Sequence, residues 1–149
     1  MSQPLDHARD VSSASEQYAV AAEAAQRWVE GAASGDWTAF KRMLAEDVRF
    51  SVPAPGLAPT GVGLAEAEGF FSFLAENVRT TLVVKNVLAD GGTVGFEIRA
   101  EGLLQGRRMA NHLFLVLVVQ GGVVTSFREY VAWPPGGLDD TAAGRDLLD

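Results

Sequence analysis

The chain lacks cysteine entirely, and only two of its 149 residues are histidine. Without thiols it can form no disulfide bond, no thiolate metal site and no cysteine nucleophile. The two histidines, His7 and His112, are far apart in the sequence, which is not the pattern of a transition-metal site. The glycine-rich stretches ADGG and QGG lack the strand–loop–helix context of a phosphate cradle. We therefore expect neither a metal nor another cofactor.

Positive charge and long apolar runs are also scarce. The 12 Lys and Arg residues are outnumbered by 19 Asp and Glu, which gives a net charge of −7 and no electrostatic footprint for nucleic acid or an anionic membrane. The longest apolar run, LFLVLVV, has the length of a buried strand, and the first ten residues contain no signal-peptide core. We therefore expect a cytoplasmic protein with no nucleic-acid and no membrane partner.

The first half of the chain carries a helical pattern. Ser13 and Glu16 have capping-box spacing, and apolar residues then recur at intervals of three and four. This predicts a first helix that ends at Gly35, followed by a second short helix, WTAFKRMLAED. A short strand, VRFSVP, a proline- and glycine-rich loop to about residue 63, and a third helix, LAEAEGFFSFLAENV, complete this half.

The second half changes to a strand pattern rich in Val, Leu, Phe and Thr. The turns DGG, LQGR and QGG divide it into an antiparallel four-strand meander, whose segments are residues 80–89, 93–103, 107–119 and 123–133. Three helices followed by such a sheet predict an α+β fold with the helices on one face. We expect one domain over residues 15–133, a mobile arm over 1–14 and an irregular tail over 134–149.

The last strand contains a carboxylate among large apolar side chains. In TSFREYVAW, alternate positions are held by Phe127, Glu129, Val131 and Trp133, so all four face the same way if the segment is a strand. A charged group in such a row needs either an ion-pair partner or a function.

The order of these elements resembles the nuclear-transport-factor-2-like superfamily, and within it the SnoaL-like and ketosteroid-isomerase-like proteins. The likeness covers residues 16–133. It is carried by AASGDWTAFKRMLAEDVRFSVP, by the closing strands from ADGG to EYVA, by Asn111, and by the run Arg128-Glu129-Tyr130. It implies a cone, in which a strongly curved antiparallel sheet and three N-terminal helices enclose one deep pocket.

The resemblance also implies a homodimer formed through the convex face of the sheet. The strand HLFLVLVV agrees with this, because it is apolar on both faces and so needs a cover on each. A partner subunit is the economical second cover.

The pocket residues follow from the strand faces that the resemblance implies. If Gln105 and Gly106 form a two-residue turn, Asn111 lies opposite Ala100 and Arg99 lies opposite His112. In similar enzymes the carboxylate of the last strand points inward, which makes Glu129 and Asn111 the polar features of an apolar pocket. The expected substrate-binding residues are Phe50, Val52, Phe96, Ile98, Leu113, Leu115, Phe127, Val131 and Trp133, with Tyr18 on the first helix as a further hydrogen-bond donor.

This composition suits a hydrophobic small molecule such as a polyketide or terpenoid. Desolvation raises the pKa of a carboxyl group toward neutrality, and such a group can take a proton and return it nearby. The leading hypothesis is a cofactor-independent isomerase or cyclase in which Glu129 is the acid–base group and Asn111 orients it or the substrate. Two family acids are missing, because Val52 and Ala132 occupy their positions.

Two alternatives remain open. Arg99 and Glu101 resemble the Arg-x-Asp of limonene-epoxide-hydrolase-like proteins, which with Glu129 implies an epoxide hydrolase. The missing acids also allow a protein that binds a small ligand without catalysis.

Overall fold

The computed structural model describes residues 3–53 and 59–132, which form three helices and one six-stranded sheet. The helices are α1 (Gln3–Ser34), α2 (Thr38–Lys41) and α3 (Leu64–Asn77). The strands are β1 (Leu44–Ser51), β2 (Thr60–Val62), β3 (Val78–Asp90), β4 (Thr93–Leu104), β5 (Arg107–Gln120) and β6 (Val123–Ala132). The predicted α+β class is confirmed. No described helix is both long enough and apolar enough to cross a membrane.

Helix α1 begins at Gln3, about ten residues earlier than the capping-box spacing at Ser13 predicted. The segment 1–14, predicted to be an arm, is therefore helical from Gln3 onward. Pro4 falls in the first turn of this helix, where its missing N–H removes no intrahelical hydrogen bond. Between Pro4 and Gly31 the chain contains no glycine and no further proline, so no residue of this segment favours a break in the helix. The predicted tail, 134–149, lies outside the described residues.

The predicted meander is correct in order and register. Strands β3, β4, β5 and β6 are successive antiparallel neighbours, with Ala100 opposite Asn111 and Arg99 opposite His112. The turn between β4 and β5 is set by Gln105 at φ 52° and Gly106 at φ 76°. Positive φ at both central residues is the requirement of the two-residue turn that matches strand twist.

The sheet differs from the prediction at its other side, because it is mixed and not wholly antiparallel. Its order is β2-β1-β6-β5-β4-β3, and β1 runs parallel to β6. Leu44, predicted to lie in the second helix, instead pairs with Val124 at the start of β1. Met43 and Val124 share a backbone hydrogen bond of 2.8 Å, so pairing with β6 overrides the helical preference of this segment. Strand β2 forms where a loop was predicted, pairing with β1 over three residues.

The helices pack on one face of this open sheet, which we call the inner face. Trp28 of α1 lies at the centre of an aromatic cluster there, with ring centroids 5.0 Å from Phe40 and 5.9 Å from Phe127. Phe50 of β1 stacks on Phe127 of β6 at 5.2 Å and an interplanar angle of 7°. This packing closes one part of the space between helices and sheet and leaves the remainder as a cavity.

Candidate functional site

A cavity of about 140 Å³ lies between α1, α3 and the inner face of β3 to β6. Its wall is mostly apolar, and Glu129 is the one acidic or basic residue among the described lining residues. The full lining is Trp28, Ala32, Trp37, Pro53, Phe70, Phe73, Leu74, Val78, Thr80, Leu82, Ala100, Leu104, Met109, Asn111, Leu113, Glu129 and Val131. An apolar wall with a few polar groups is typical of a site for a hydrophobic small molecule.

Glu129 reaches the cavity because β6 alternates. Phe127 and Val131 precede and follow it on the inner face, and buried Leu115 lies opposite it on β5. No described residue forms an ion pair or hydrogen bond with its carboxylate. Burial without a compensating partner disfavours the charged form and raises the pKa of Glu129 to about 7. The group can therefore exist in both protonation states near neutral pH.

Two more lining residues carry a buried polar atom that has no partner within residues 3–53 and 59–132. Asn111, 5% exposed, has no hydrogen-bond partner for its Oδ1 among the described residues. The same holds for the indole Nε1 of Trp37, a residue that is 4% exposed and stands at the N-cap of α2. Buried polar groups are rarely left unpaired in folded proteins, so both atoms are notable.

Asn111 does not hold the Glu129 carboxylate. Leu115, not Asn111, is the β5 residue paired with Glu129, and four residues along a strand correspond to about 13 Å. The unpartnered Oδ1 of Asn111 and the absence of any described partner for Glu129 agree with this separation. Asn111 could therefore orient a ligand, but it does not contact the carboxylate of Glu129.

The structure brings some of the predicted site residues together. Glu129, Asn111, Leu113 and Val131 all line the cavity. Six others lie on the predicted inner face but are buried in the core and do not line the cavity: Phe50, Val52, Phe96, Ile98, Leu115 and Phe127. For Phe50 and Phe127 the reason is the aromatic cluster around Trp28, of which both rings are part. Trp133 lies outside the described residues.

One further substrate-binding candidate, Tyr18, and the alternative triad are not found in the cavity. Tyr18 is 43% exposed and does not line the cavity, because it lies on a solvent-facing side of α1. Arg99 and Glu101 alternate with the cavity residue Ala100 on β4, so their side chains project from the opposite, outer face of the sheet. The alternative triad of Arg99, Glu101 and Glu129 is therefore not assembled.

Trp37 and Thr80 are polar lining residues that sequence reasoning missed. Trp37 was assigned to the apolar core, and its burial agrees with that assignment. The sequence carried no signal for its unpaired indole N–H, because Asp36 and Thr38 on either side of it offer acceptors. Thr80 is buried on β3 beside the cavity, and no periodicity distinguishes it from its neighbours. The described residues contain no cluster of His, Asp and Glu suited to a metal.

Comparison with known proteins agrees with this architecture. A family model described as SnoaL-like domain matches residues 25–127. The crystal structure of an NTF2-like protein from Anabaena variabilis ATCC 29413 is 30% identical, with the match covering 80% of this chain and 91% of that one at a TM-score of 0.73. No curated protein matches the chain.

More distant structures share the fold. A provisionally assigned SnoaL-like polyketide cyclase from Jannaschia sp. CCS1 matches at 18% identity and a TM-score of 0.63, covering 76% of this chain and 85% of that one. An LEH-like epoxide hydrolase from M. tuberculosis matches at 18% identity and a TM-score of 0.61, covering 76% and 84%. At this identity the likeness extends to the fold alone.

Proposed function

Because the chain belongs to the SnoaL-like family, we propose that it is an acid–base enzyme of the isomerase or cyclase type. Its substrate would be a hydrophobic small molecule such as a polyketide or terpenoid. Proteins of this fold include a provisionally assigned cyclase and isomerase as well as an epoxide hydrolase, so the fold alone does not select the reaction. The observation that carries the proposal is Glu129, a carboxyl group in an apolar cavity with no partner among the described residues.

Glu129 is suited to proton transfer at carbon. Its pKa of about 7 leaves a large fraction of the carboxylate form at neutral pH, while making that carboxylate a stronger base than an ordinary glutamate. The same group, once protonated, can return the proton to a neighbouring atom of the bound substrate. Proton removal and return by one side chain is the chemistry that an isomerisation or a cyclisation of this type requires.

The two alternatives differ from this proposal in what they require. Epoxide hydrolysis by the triad needs Arg99 and Glu101 beside Glu129, and both project from the outer face of the sheet. A binding protein without catalysis needs only the cavity, and its ligand affinity would not require the ionisable form of Glu129. Measurement of proton exchange separates the second alternative from the enzyme.

The pH dependence of proton exchange tests the proposal. We expect the protein to incorporate solvent deuterium into small hydrophobic cyclic ketones, measured by mass spectrometry from pH 5 to 9. Because the base form of Glu129 is the active one, kcat/KM should rise about tenfold per pH unit below 7 and level off above it. No exchange with any ketone of the series, or a rate independent of pH, would contradict the proposal.

We also propose that two copies of the chain associate through the outer face of the sheet. Tyr130 of β6 and Leu88 of β3 are 55% and 53% exposed there, and they share a shallow, mostly apolar groove with Phe114, His112 and Glu97. A mostly apolar surface of this kind, on the face opposite the helices, is typical of a subunit interface.

Substitution of Tyr130 by glutamate is expected to shift the dimer toward monomer, because it places a second carboxylate in a groove that Glu97 already lines. Analytical ultracentrifugation at several protein concentrations measures the shift. The matched control is Val62→Glu, an exposed apolar position on β2 away from the groove, which should leave association unchanged. A native protein that stays monomeric at high micromolar concentration contradicts the interface.

A further inference from the structure

Glu129 keeps accessible surface although protein surrounds its carboxyl group. Burial alone raises the pKa of this group, which places it deep in the protein. By its accessible surface, however, the residue is only half-buried, whereas Phe127 beside it and Leu115 opposite it are fully buried. Both observations are explained by the cavity that Glu129 lines, because a side chain that faces an internal space is deep and still accessible. A ligand in that cavity can therefore reach the side chain.

No positive charge faces Glu129 from the elements that enclose the cavity. Within residues 3–53 and 59–132, every other lining side chain is uncharged, including all those from α1, α3, β3, β4 and β5. The nearest cation in the sequence, Arg128, alternates with Glu129 on β6 and so projects from the outer face. A buried carboxylate without a partner is costly, and a cation brought in by a ligand would offset that cost.

Aromatic rings enclose the cavity near Glu129. Phe127 is its same-face neighbour two residues along β6, a spacing of about 7 Å. Trp28 and Phe70 pack on that ring with centroid distances of 5.9 and 6.2 Å, and both also line the cavity. The faces of such rings carry partial negative charge, so they attract a cation as well as an apolar group. This wall therefore favours a positively charged ligand over a negatively charged one.

We propose that the cavity binds a protonated amine that carries an apolar group. The ammonium N–H groups donate to the carboxylate oxygens of Glu129, and the apolar group packs against the wall. This site goes beyond the proposed function, because binding of a cation requires the charge of Glu129 and no proton transfer. An amine bound in this way also occupies the base, so it competes with any substrate from which Glu129 removes a proton.

A series of three ligands that share one ring and differ in charge tests the proposal. Between pH 5 and 8 benzylamine is a cation, benzyl alcohol is neutral and benzoate is an anion. At pH 8 we expect benzylamine to bind about tenfold more tightly than benzyl alcohol, and benzoate to bind more weakly than either. Titration followed by ligand-observed NMR gives the three dissociation constants. Equal affinity for benzylamine and benzyl alcohol, or tighter binding of benzoate, overturns the proposal.

The pH dependence of the same constants tests whether the cation pairs with Glu129. Affinity for benzylamine should rise about tenfold per pH unit from 5 to 7 and then level off, because only the ionised carboxylate attracts it. Affinity for benzoate should fall as pH rises past 7, and that for benzyl alcohol should change least. Parallel pH curves for benzylamine and benzyl alcohol contradict the pairing.

Two substitutions separate the cavity carboxylate from the overall charge of the protein. The net charge of −7 attracts any cation weakly, and Glu129→Gln and Glu101→Gln reduce it equally. Glu129→Gln should remove both the preference for benzylamine and its pH dependence while benzyl alcohol still binds. Glu101→Gln, on the outer face, should keep both. A preference that persists in Glu129→Gln would show that the cation binds elsewhere.

This proposal and the proposed function fail separately. Preference for benzylamine without any proton exchange in the native protein would reject the proposed function and leave the amine site intact. Proton exchange without that preference would do the reverse. Where both are observed, benzylamine should inhibit proton exchange competitively, with an inhibition constant equal to its dissociation constant. Inhibition that is not competitive would place the amine outside the cavity and overturn the site.

Discussion

Replacement of Glu129 by glutamine is expected to lower kcat/KM by about 10²–10⁴-fold while the protein stays folded. Glutamine has nearly the same shape and remains neutral, so the wall of the cavity keeps its form. What is lost is the only ionisable group among the described lining residues, and therefore the only side chain there that can take a proton from carbon. The measurement is the rate of solvent deuterium incorporation at pH 8, where the native carboxylate is mostly ionised.

Glu101→Gln is the matched control for this experiment. It makes the same chemical change on the outer face of β4, where the side chain is exposed and does not reach the cavity. It should leave the rate within about twofold of native. A loss of activity in Glu101→Gln comparable to that in Glu129→Gln would support the alternative epoxide-hydrolase function, in which Glu101 takes part. Full activity in Glu129→Gln would show that Glu129 is not the acid–base group.

The sequence predicted the meander and its register because these depend on local chemistry. The turn residues Gln105 and Gly106 fix which residues of β4 and β5 face each other, and alternation then fixes the faces. The inward direction of Glu129 and Asn111 follows from the same alternation. The family resemblance, confirmed by the match over residues 25–127, supplied which face is the inner one.

The pairing of β1 with β6 could not be predicted in this way. Parallel neighbours are joined by a long connection, so no turn residue records which strands will meet. Because Leu44 pairs with Val124 of β6, it lies in β1 and not in the predicted second helix.

The extent of the cavity was overestimated for a related reason. Alternation assigns a residue to a face, but it does not show how deeply helices pack upon that face. Phe50 and Phe127 point inward as expected and are then covered by Phe70 and Trp28. Only the packing of α1 and α3 decides where the core ends and the cavity begins. Trp37 was missed because its apolar ring predicts burial equally well with or without a free N–H.

Glu129 should also make the stability of the protein depend on pH. Its folded-state pKa of about 7 lies above the ordinary value of 4.5 that applies to the unfolded chain. Between these values the folded protein binds a proton that the unfolded chain does not, so stability falls as pH rises from 4.5 to 7. The difference between these two pKa values corresponds to roughly 3 kcal/mol of stability, which is lost as pH rises past 7.

Glu129→Gln is therefore expected to be more stable than the native protein at pH 8 by about 3 kcal/mol and to differ little from it near pH 4.5. Urea unfolding at fixed protein concentration, measured at pH 5, 6, 7 and 8, gives the difference at each pH. Exposed carboxyl groups with a lowered pKa, such as Asp36, contribute equally to both proteins and cancel in that difference. Glu101→Gln should track the native curve throughout. A constant difference between Glu129→Gln and native across this range would mean that the carboxyl group titrates normally, and a base of ordinary strength would then have to perform the proton transfer.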